Sequence, residues 1–197
     1  APYQASKVYY KVTHSTVDAT RKAIRDGISA GKLIVNYLGH GATTGWAGEP
    51  LFTTQDVPLL QNSGKLPVML PMTCYDGYYH NPELPTDGQD ALAEMVTRVE
   101  GRGAVASWSP TGNGGAPGHD RLDRGFFRAI FYDGLRTLGE ATNSGKLDLW
   151  ASGANLDLLD TYLLFGDPAT EMPLVAVTPS ADLQVGISAK PVAVLSP

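Results

Sequence analysis

The chain has 197 residues and a formal net charge of −5 at pH 7; 43% of its residues are hydrophobic and 18% are charged. These values are ordinary for a folded globular domain, and without a cluster of Lys and Arg the chain has no basic surface suited to nucleic acid. The longest apolar runs are far shorter than the roughly 20 residues that cross a bilayer, so we expect no membrane-spanning segment in this chain.

The first half of the chain predicts a helix and two buried strands. Ser15 or Thr16 is suited to cap a helix that runs to about Ala30. The nearly unbroken apolar run at residues 32–38 predicts a strand covered on both faces, as in parallel sheets. After a loop rich in Gly and Thr, residues 67–73 predict a second buried strand.

The second half continues the alternation of helices and strands. Helical spacing of apolar residues at 89–99 is followed by a short strand at 103–109. The stretch PTGNGGAPGHD is too rich in Gly and Pro for regular structure, and Asp120 is expected to cap the next helix. TYLLFGDP predicts a last strand. Strands that alternate with helices of ten or more residues predict an α/β layer sandwich with a mainly parallel sheet.

The end of the chain differs from the rest. Residues 175–197 contain no helical pattern, and DLQVGIS alternates as a β-sandwich strand does. We predict a globular domain at residues 1–174, followed by a linker and the start of a β-sandwich module at 175–197. The chain begins at Ala1 with neither a Met nor a leader, which is typical of a processed or truncated piece of a longer polypeptide.

Two reactive side chains follow the two strands of the first half. His40 stands between Gly39 and Gly41, and the single cysteine, Cys74, directly follows the second strand. Because ligands of open α/β sheets bind beyond the carboxyl ends of the strands, we expect the imidazole and the thiol to face each other across a cleft. A nearby imidazole favours the thiolate or passes a proton to a leaving amine. The pair therefore indicates acyl transfer by a cysteine nucleophile.

Glycine next to the histidine fits this chemistry. With no side chain at Gly41, a substrate carbonyl can approach the backbone, and the N–H groups of Gly41 and Cys74 can donate to an oxyanion. Other interpretations stay open at this point: His40 as a core histidine bonded to a carbonyl, and Cys74 as inert packing. A metal site built on His40, Cys74, His80 and Asp87 lacks support, because the chain has neither CxxC nor HxxxH spacing.

Five blocks of the sequence, in order, resemble the catalytic domain of the gingipain-type cysteine peptidases, relatives of caspases, legumain and clostripain. The blocks are LIVNYLGHGATTGWAG, LPVMLPMTCYDG, ALAEMVTRVEGRGAVASWSPT, TLGEA and LLFGDPAT. The resemblance covers about residues 20–174. It implies a caspase-like three-layer αβα sandwich with a mainly parallel sheet, incomplete at its N-terminal side and followed by a short β-rich tail. An upstream segment of the same precursor would complete such a fold.

The resemblance also implies a function. Cys74 would be the nucleophile, His40 the catalytic base and acid, and the Gly41 and Cys74 amides the oxyanion hole of a secreted cysteine endopeptidase that acts on polypeptides through an acyl-enzyme. An extracellular or cell-surface location goes with this family. The alternatives are a sortase-like transpeptidase of the same family, and a non-catalytic surface or structural module that retains the peptidase fold.

The same resemblance places a specificity pocket. Gly39 and the loop at residues 110–117, with Thr111, Gly112 and Asn113, would surround the substrate side chain. Gingipains present an aromatic residue in this loop where the chain has Gly and Ala, so we do not expect an identical pocket.

Roles other than catalysis are also expected for several acidic residues and two tryptophans. Glu49 and Asp56 are the local candidates for orienting His40, although an acidic residue is more often a solvated charge. Trp46 is expected to pack beneath the histidine loop, and Trp108 to lie in the core. We expect no required cofactor. Calcium as a structural ion is an open expectation, with oxygen ligands from an acid-rich stretch: Glu83, Asp87 and Asp90.

Overall fold

The structure is a computed structural model, and it describes residues 3–81 and 90–174. Seven strands are described: β1 (Ile34–Leu38), β2 (Gly41–Ala42), β3 (Gly45–Trp46), β4 (Phe52–Thr53), β5 (Val68–Met72), β6 (Ala106–Pro110) and β7 (Tyr162–Phe165). Five α-helices accompany them: α1 (Val17–Ser29), α2 (Leu92–Arg98), α3 (Ala116–Phe131), α4 (Leu138–Ser152) and α5 (Leu158–Thr161). A short 3₁₀ turn lies at Val57–Leu59.

The central sheet has four strands in the order β1, β5, β6, β7. The first three are parallel, and β7 runs antiparallel to β6. The mainly parallel sheet predicted from the sequence is confirmed. Strands β2, β3 and β4 form a separate antiparallel sheet inside the loop that follows β1.

Helices cover both faces of the central sheet. Along β5, Val68, Leu70 and Met72 belong to a hydrophobic cluster that also contains buried residues of α3 and α4. Met69 points to the other face and joins a cluster formed with α1, α2 and the small sheet. Because side chains alternate between the faces of a strand, one continuous apolar run fills two cores. This arrangement is a three-layer αβα sandwich.

Strand β1 differs from the prediction of a strand covered on both faces. It pairs with β5 and lies at one edge of the described sheet. Its side chains are half-buried, and Leu38 is 63% exposed. Strand β5, by contrast, is buried throughout, as expected.

The start of helix α3 was predicted wrongly. The helix begins at Ala116, with Gly115 as its N-cap, so Asp120 lies inside it. The physical reason is Pro117, because proline fits the first turn of a helix, where its missing N–H costs no hydrogen bond. Helix α1 begins as predicted, with the Thr16 hydroxyl accepting a hydrogen bond from the Ala19 amide at 3.2 Å.

Two further predictions extend to residues that the structure does not describe. The predicted β-rich tail at residues 175–197 lies outside the described residues. Within residues 3–81 and 90–174, none of the helices has both the length and the apolar character needed to cross a bilayer.

Candidate active site

The register of β1 and β5 aligns the two loops that carry the candidate residues. Leu38 pairs with Met72, so His40 and Cys74 each lie two residues beyond the same pair of the ladder. The Gly39 amide continues the alignment past the strand end, donating to the Met72 carbonyl at 3.3 Å. Both loops therefore leave the sheet side by side at its carboxyl edge.

Gly41 lies directly against the cysteine loop. A Cβ atom added at Gly41 would lie 2.3 Å from the Thr73 hydroxyl oxygen and 3.0 Å from the Cys74 carbonyl oxygen. Real Cβ atoms do not come this close to backbone or side-chain atoms, so only glycine fits without a displacement. The two loops are in van der Waals contact next to the candidate nucleophile.

Cys74 is half-buried and contacts the glycine-rich loop between β6 and α3. Its thiol lies 3.6 Å from the Gly114 carbonyl and donates a weak hydrogen bond to it. The next residue, Tyr75, donates its amide to the Gly112 carbonyl at 3.0 Å and has a positive φ of 59°. The structure thus brings the cysteine loop together with the loop expected to bind substrate.

The histidine loop is held by its backbone, and the His40 side chain is exposed. The His40 carbonyl accepts hydrogen bonds from the Tyr37 hydroxyl and the Ala47 amide, both at 2.7 Å. The Tyr37 ring stacks on Trp46, with ring centroids 4.4 Å apart and an interplanar angle of 1°. A Cβ at Gly39 would lie 2.6 Å from the Tyr37 hydroxyl oxygen.

Asp76 is buried beneath both loops. Its Oδ1 accepts a hydrogen bond from Trp46 Nε1 at 2.8 Å, and its Oδ2 accepts one from the Ser109 hydroxyl at 3.0 Å. Ser109 in turn contacts Ser107 at 2.8 Å. Burial raises the pKa of Asp76 to about 7, although the two hydrogen bonds oppose this shift. Burial, followed by the charge of Asp76, raises the pKa of Tyr37 to about 12.

The first turn of helix α2 joins the same two loops. The Leu92 amide donates to the Thr43 carbonyl at 2.8 Å, in the histidine loop. The Ala93 amide donates to the Asp76 carbonyl at 3.0 Å, in the cysteine loop. These N–H groups have no partner within the helix, so the loops satisfy the helix end while the helix fixes the loops.

His119 lies behind the glycine-rich loop and is buried. Its Nε2 atom has no hydrogen-bond partner in the described part of the chain, and a Cβ at Gly114 would lie 2.7 Å from it. The ring packs edge-on against Tyr162. Burial lowers the pKa of His119, opposed by the charge of Asp157. His119 lies in the first turns of α3.

With this geometry established, comparison with known proteins decides the family. A sequence profile described as peptidase family C25 matches residues 1–173. The chain belongs to this family. Among curated relatives, gingipain R2 of Porphyromonas gingivalis is 28% identical over 160 residues, which cover 76% of the chain and 21% of the relative. Gingipain R2 of strain W83 is 31% identical with the same coverages.

Solved structures agree with the family C25 assignment. The crystal structure of the Arg-specific cysteine proteinase gingipain R superposes with a TM-score of 0.66 at 29% identity, covering 77% of this chain and 36% of that one. The complex of the P. gingivalis RgpB pro- and mature domains gives a TM-score of 0.68 at 28% identity, covering 76% and 36%. The chain therefore spans about a third of the solved relatives. These matches confirm the caspase-like α/β fold.

The two acids proposed to orient His40 are bound elsewhere in this C25 chain. Asp56 is fully buried and accepts hydrogen bonds from Arg21 Nε at 2.7 and 2.9 Å. It is not solvated, and its contacts attach α1 to β4. Glu49 is exposed and lies 3.8 Å from Lys11. Neither prediction is supported by the contacts that these carboxylates make.

The remaining predicted residues fall in three places. Trp46 and Trp108 are buried, as expected. Thr111 is bound to Thr161, its amide and hydroxyl donating to the Thr161 carbonyl at 2.7 and 3.0 Å, whereas Asn113 is exposed. Of the three acids considered for calcium, Asp90 forms an ion pair with Arg98 at 2.8 Å. The other two, Glu83 and Asp87, lie outside the described residues.

Asp76 is the residue of this site that sequence reasoning missed. It stands two residues after Cys74 and directly before a glycine, and an Asp-Gly pair predicts a turn rather than a buried acid. Its position two residues after a candidate nucleophile was the available signal. Its partners, thirty and thirty-three residues away in sequence, become apparent in three dimensions.

Proposed function

We propose that this chain is the catalytic part of a cysteine endopeptidase, with Cys74 as the nucleophile and His40 as the general base and acid. The observation that carries the proposal is the register of β1 and β5, since both residues stand two positions past the paired Leu38 and Met72. Membership in peptidase family C25 supports it. So does the structural similarity to a protein described as an Arg-specific cysteine proteinase.

The proposed reaction has two steps. In the first, His40 accepts the thiol proton, and the Cys74 sulfur attacks the carbonyl carbon of the scissile peptide bond. The C–N bond then breaks, and the imidazolium gives its proton to the leaving amine. In the second step, His40 accepts a proton from water, and the water oxygen attacks the thioester carbonyl carbon. The C–S bond then breaks, and the imidazolium returns its proton to the Cys74 sulfur. The products are a free amine and a free carboxylic acid.

The oxyanion of each step is assigned to backbone N–H groups of Gly41 and Cys74. The contact of Gly41 with Thr73 and the Cys74 carbonyl supports this assignment, because it keeps the two backbones adjacent. The glycine-rich loop is proposed to receive the substrate side chain, with Gly39 and Asn113 exposed at its opening. Thr111 would hold this loop in place through Thr161.

A fluorogenic peptide panel tests the proposal. The substrates differ at P1 alone (Arg, Lys, Asn and Ala), and Arg is included because a solved relative is described as Arg-specific. We expect wild type to cleave at least one substrate, and Cys74→Ala and His40→Ala to lower kcat by more than about 1,000-fold. Equal turnover by wild type and Cys74→Ala would contradict the proposal that this chain is a cysteine peptidase.

The two alternative functions have separate readouts. A transpeptidase would join an added amine to the acyl group, so mass spectrometry of the products in the presence of a peptide amine distinguishes it from a hydrolase. A non-catalytic module predicts an inert thiol. Because Cys74 is half-buried rather than enclosed, we expect iodoacetamide to label it in the native protein as well as after denaturation.

We further propose that an upstream segment pairs with the edge of β1 that has no partner strand among residues 3–81 and 90–174. We also propose that the enzyme acts outside the cell or on its surface. The place of β1 at one edge of the described sheet supports the first proposal, because an edge strand offers backbone groups for pairing. Hydrogen exchange of the β1 amides should slow when the chain is produced together with its upstream segment. Immunodetection in culture supernatant and on intact cells tests the location.

A further inference from the structure

The link between the two candidate loops is built on a carboxylate rather than on a hydrophobic contact alone. Asp76 belongs to the cysteine loop, and Trp46 belongs to the histidine loop. The hydrogen bond between them, 2.8 Å long, is buried. It is a direct polar connection between the segment that carries Cys74 and the segment that follows His40.

From Trp46 the connection continues to the histidine itself. The indole stacks face to face on the Tyr37 ring, and the Tyr37 hydroxyl donates to the His40 carbonyl at 2.7 Å. Trp46 also pairs with Gly41 across the small sheet. A shift of the indole would therefore move the backbone on both sides of the imidazole.

Asp76 is fixed from the opposite side as well. Ser109, on β6, donates to its second oxygen at 3.0 Å, and the Ala93 amide holds its carbonyl. Asp76 is thus anchored to the sheet through its carboxylate and to helix α2 through its backbone carbonyl. A support of this kind fixes the geometry of a site more closely than loop contacts alone.

The hydrogen-bond partners of the carboxylate are neutral. Trp46 and Ser109 supply one hydrogen bond each, and the carboxylate has no ion pair among the described residues. A buried acid without a cation is costly, so stability alone is a poor explanation for this residue. Its contacts converge instead on the alignment of the two loops.

We propose that Asp76 is a positioning residue that aligns His40 with Cys74. It acts through the indole of Trp46 and the ring of Tyr37, and it touches neither the substrate nor the reacting atoms. The proposal rests on the proposed function, because alignment of the two side chains matters only if they react together.

The test compares four variants of the full chain with wild type. Asp76→Ala removes both hydrogen bonds of the carboxylate. Asp76→Asn keeps an acceptor for Trp46 and gives Ser109 a donor, so the geometry is retained without the charge. Trp46→Phe keeps the aromatic stack and removes the indole N–H. Asp56→Ala is the matched control, because it removes another fully buried carboxylate, which contacts Arg21 and Thr53.

Three quantities are measured: kcat and KM on the best fluorogenic substrate, and the rate of Cys74 alkylation by iodoacetamide at neutral pH. We expect Asp76→Ala to lower kcat about 100-fold, the scale of an ångström-sized misplacement, with little change in KM. Its alkylation rate should fall to that of His40→Ala. Trp46→Phe should lower kcat about tenfold, whereas Asp76→Asn and Asp56→Ala should stay within about threefold of wild type.

The outcomes separate this proposal from the proposed function. A wild-type alkylation rate in His40→Ala rejects the dyad itself. If His40→Ala is slow but folded Asp76→Ala keeps wild-type kcat and alkylation, the positioning role alone is rejected. An Asp76→Asn variant as defective as Asp76→Ala would also overturn it, because hydrogen bonding would not be what matters. If Asp76→Ala does not fold, Trp46→Phe tests the proposal instead. A wild-type kcat and a wild-type rate of Cys74 alkylation in Trp46→Phe would then overturn the positioning role.

Discussion

Two aspartates are buried in the described structure, and their surroundings are opposite. Asp56, at the corner between α1 and β4, lies 2.7 Å from Arg21 and 3.3 Å from Arg25, and Thr53 donates to it as well. Asp76, at the carboxyl edge of the sheet, receives hydrogen bonds from the neutral donors of Trp46 and Ser109. Both carboxylates are buried. Arginine cations contact Asp56, whereas neutral hydrogen-bond donors contact Asp76.

The difference separates a structural acid from one that belongs to the candidate site. Two guanidinium groups neutralise the negative charge of Asp56, and these ion pairs attach helix α1 to the small sheet. Asp76 has no such compensation among the described residues, and burial raises its pKa to about 7. The region that joins the His40 and Cys74 loops therefore contains a carboxyl group that titrates near neutral pH.

The largest expected effect is the contribution of Asp76 to the pH dependence of the free energy of unfolding. Its folded pKa of about 7 lies above the unfolded value of 3.8, so folding favours the protonated acid. The resulting stabilisation is fully present below about pH 4 and is lost as the pH rises through about 7. At about 1.4 kcal/mol for each unit of pKa, the loss amounts to roughly 4 kcal/mol.

Urea unfolding of wild type and Asp76→Asn across this range measures the effect. The free energy of unfolding of wild type should fall relative to that of the neutral variant as the pH rises, and the difference should level off above about pH 8. If the difference in the free energy of unfolding between wild type and Asp76→Asn stayed constant from acid to alkaline pH, the raised pKa of Asp76 would be contradicted.

The second prediction concerns the structural acid. Asp56→Ala should lower the free energy of unfolding by about 3 kcal/mol, because it leaves two arginines without their buried partner. Urea unfolding at neutral pH measures this loss, and peptidase kinetics of the folded fraction should remain close to wild type. A large drop in kcat without a loss of stability would instead assign Asp56 to the site.

The third prediction tests the contact between the loops that Asp76 supports. In Gly41→Ala the new Cβ would overlap the Thr73 hydroxyl and press on the Cys74 carbonyl, so we expect kcat/KM to fall about 100-fold. Gly48→Ala is the matched control in the same loop, because its Cβ would meet no atom within 4 Å. Steady-state kinetics measure kcat/KM of both variants. Equal kcat/KM values for Gly41→Ala and Gly48→Ala would show that the histidine and cysteine loops are not in close contact.

How far the sequence predicts this fold depends on element length. Strands such as β5 and β6 are long enough for their apolar runs to identify them. The small sheet was missed, because its strands have two residues each and show no periodicity. The start of α3 was misplaced, since Pro117 was interpreted as a breaker although the first turn of a helix accepts proline.

At the candidate site, the positions of the two strand ends were easier to predict than the buried contacts beneath them. Strand-end reasoning located His40 and Cys74 at one edge of the sheet, because that step needs the order of the strands and no side-chain contact. Asp76 and Asp56 were not predictable in the same way. Whether a buried carboxylate meets an arginine or an indole depends on residues about thirty positions away, which periodicity does not reveal.

The smallest expected effect belongs to Glu49, the acid nearest to the histidine in sequence that the structure leaves at the surface. Its side chain is 46% exposed, and its carboxylate lies 3.8 Å from the Lys11 ammonium group, whose side chain is 68% exposed. Surface pairs of this kind contribute roughly 0 to 1 kcal/mol, so Glu49→Gln should leave the free energy of unfolding nearly unchanged. We expect kcat/KM to stay within about twofold of wild type. A tenfold or greater loss of kcat with unchanged stability would mean that Glu49 turns toward His40 during the proposed reaction, and Glu49 would then join Asp76 as a carboxylate proposed to position the histidine.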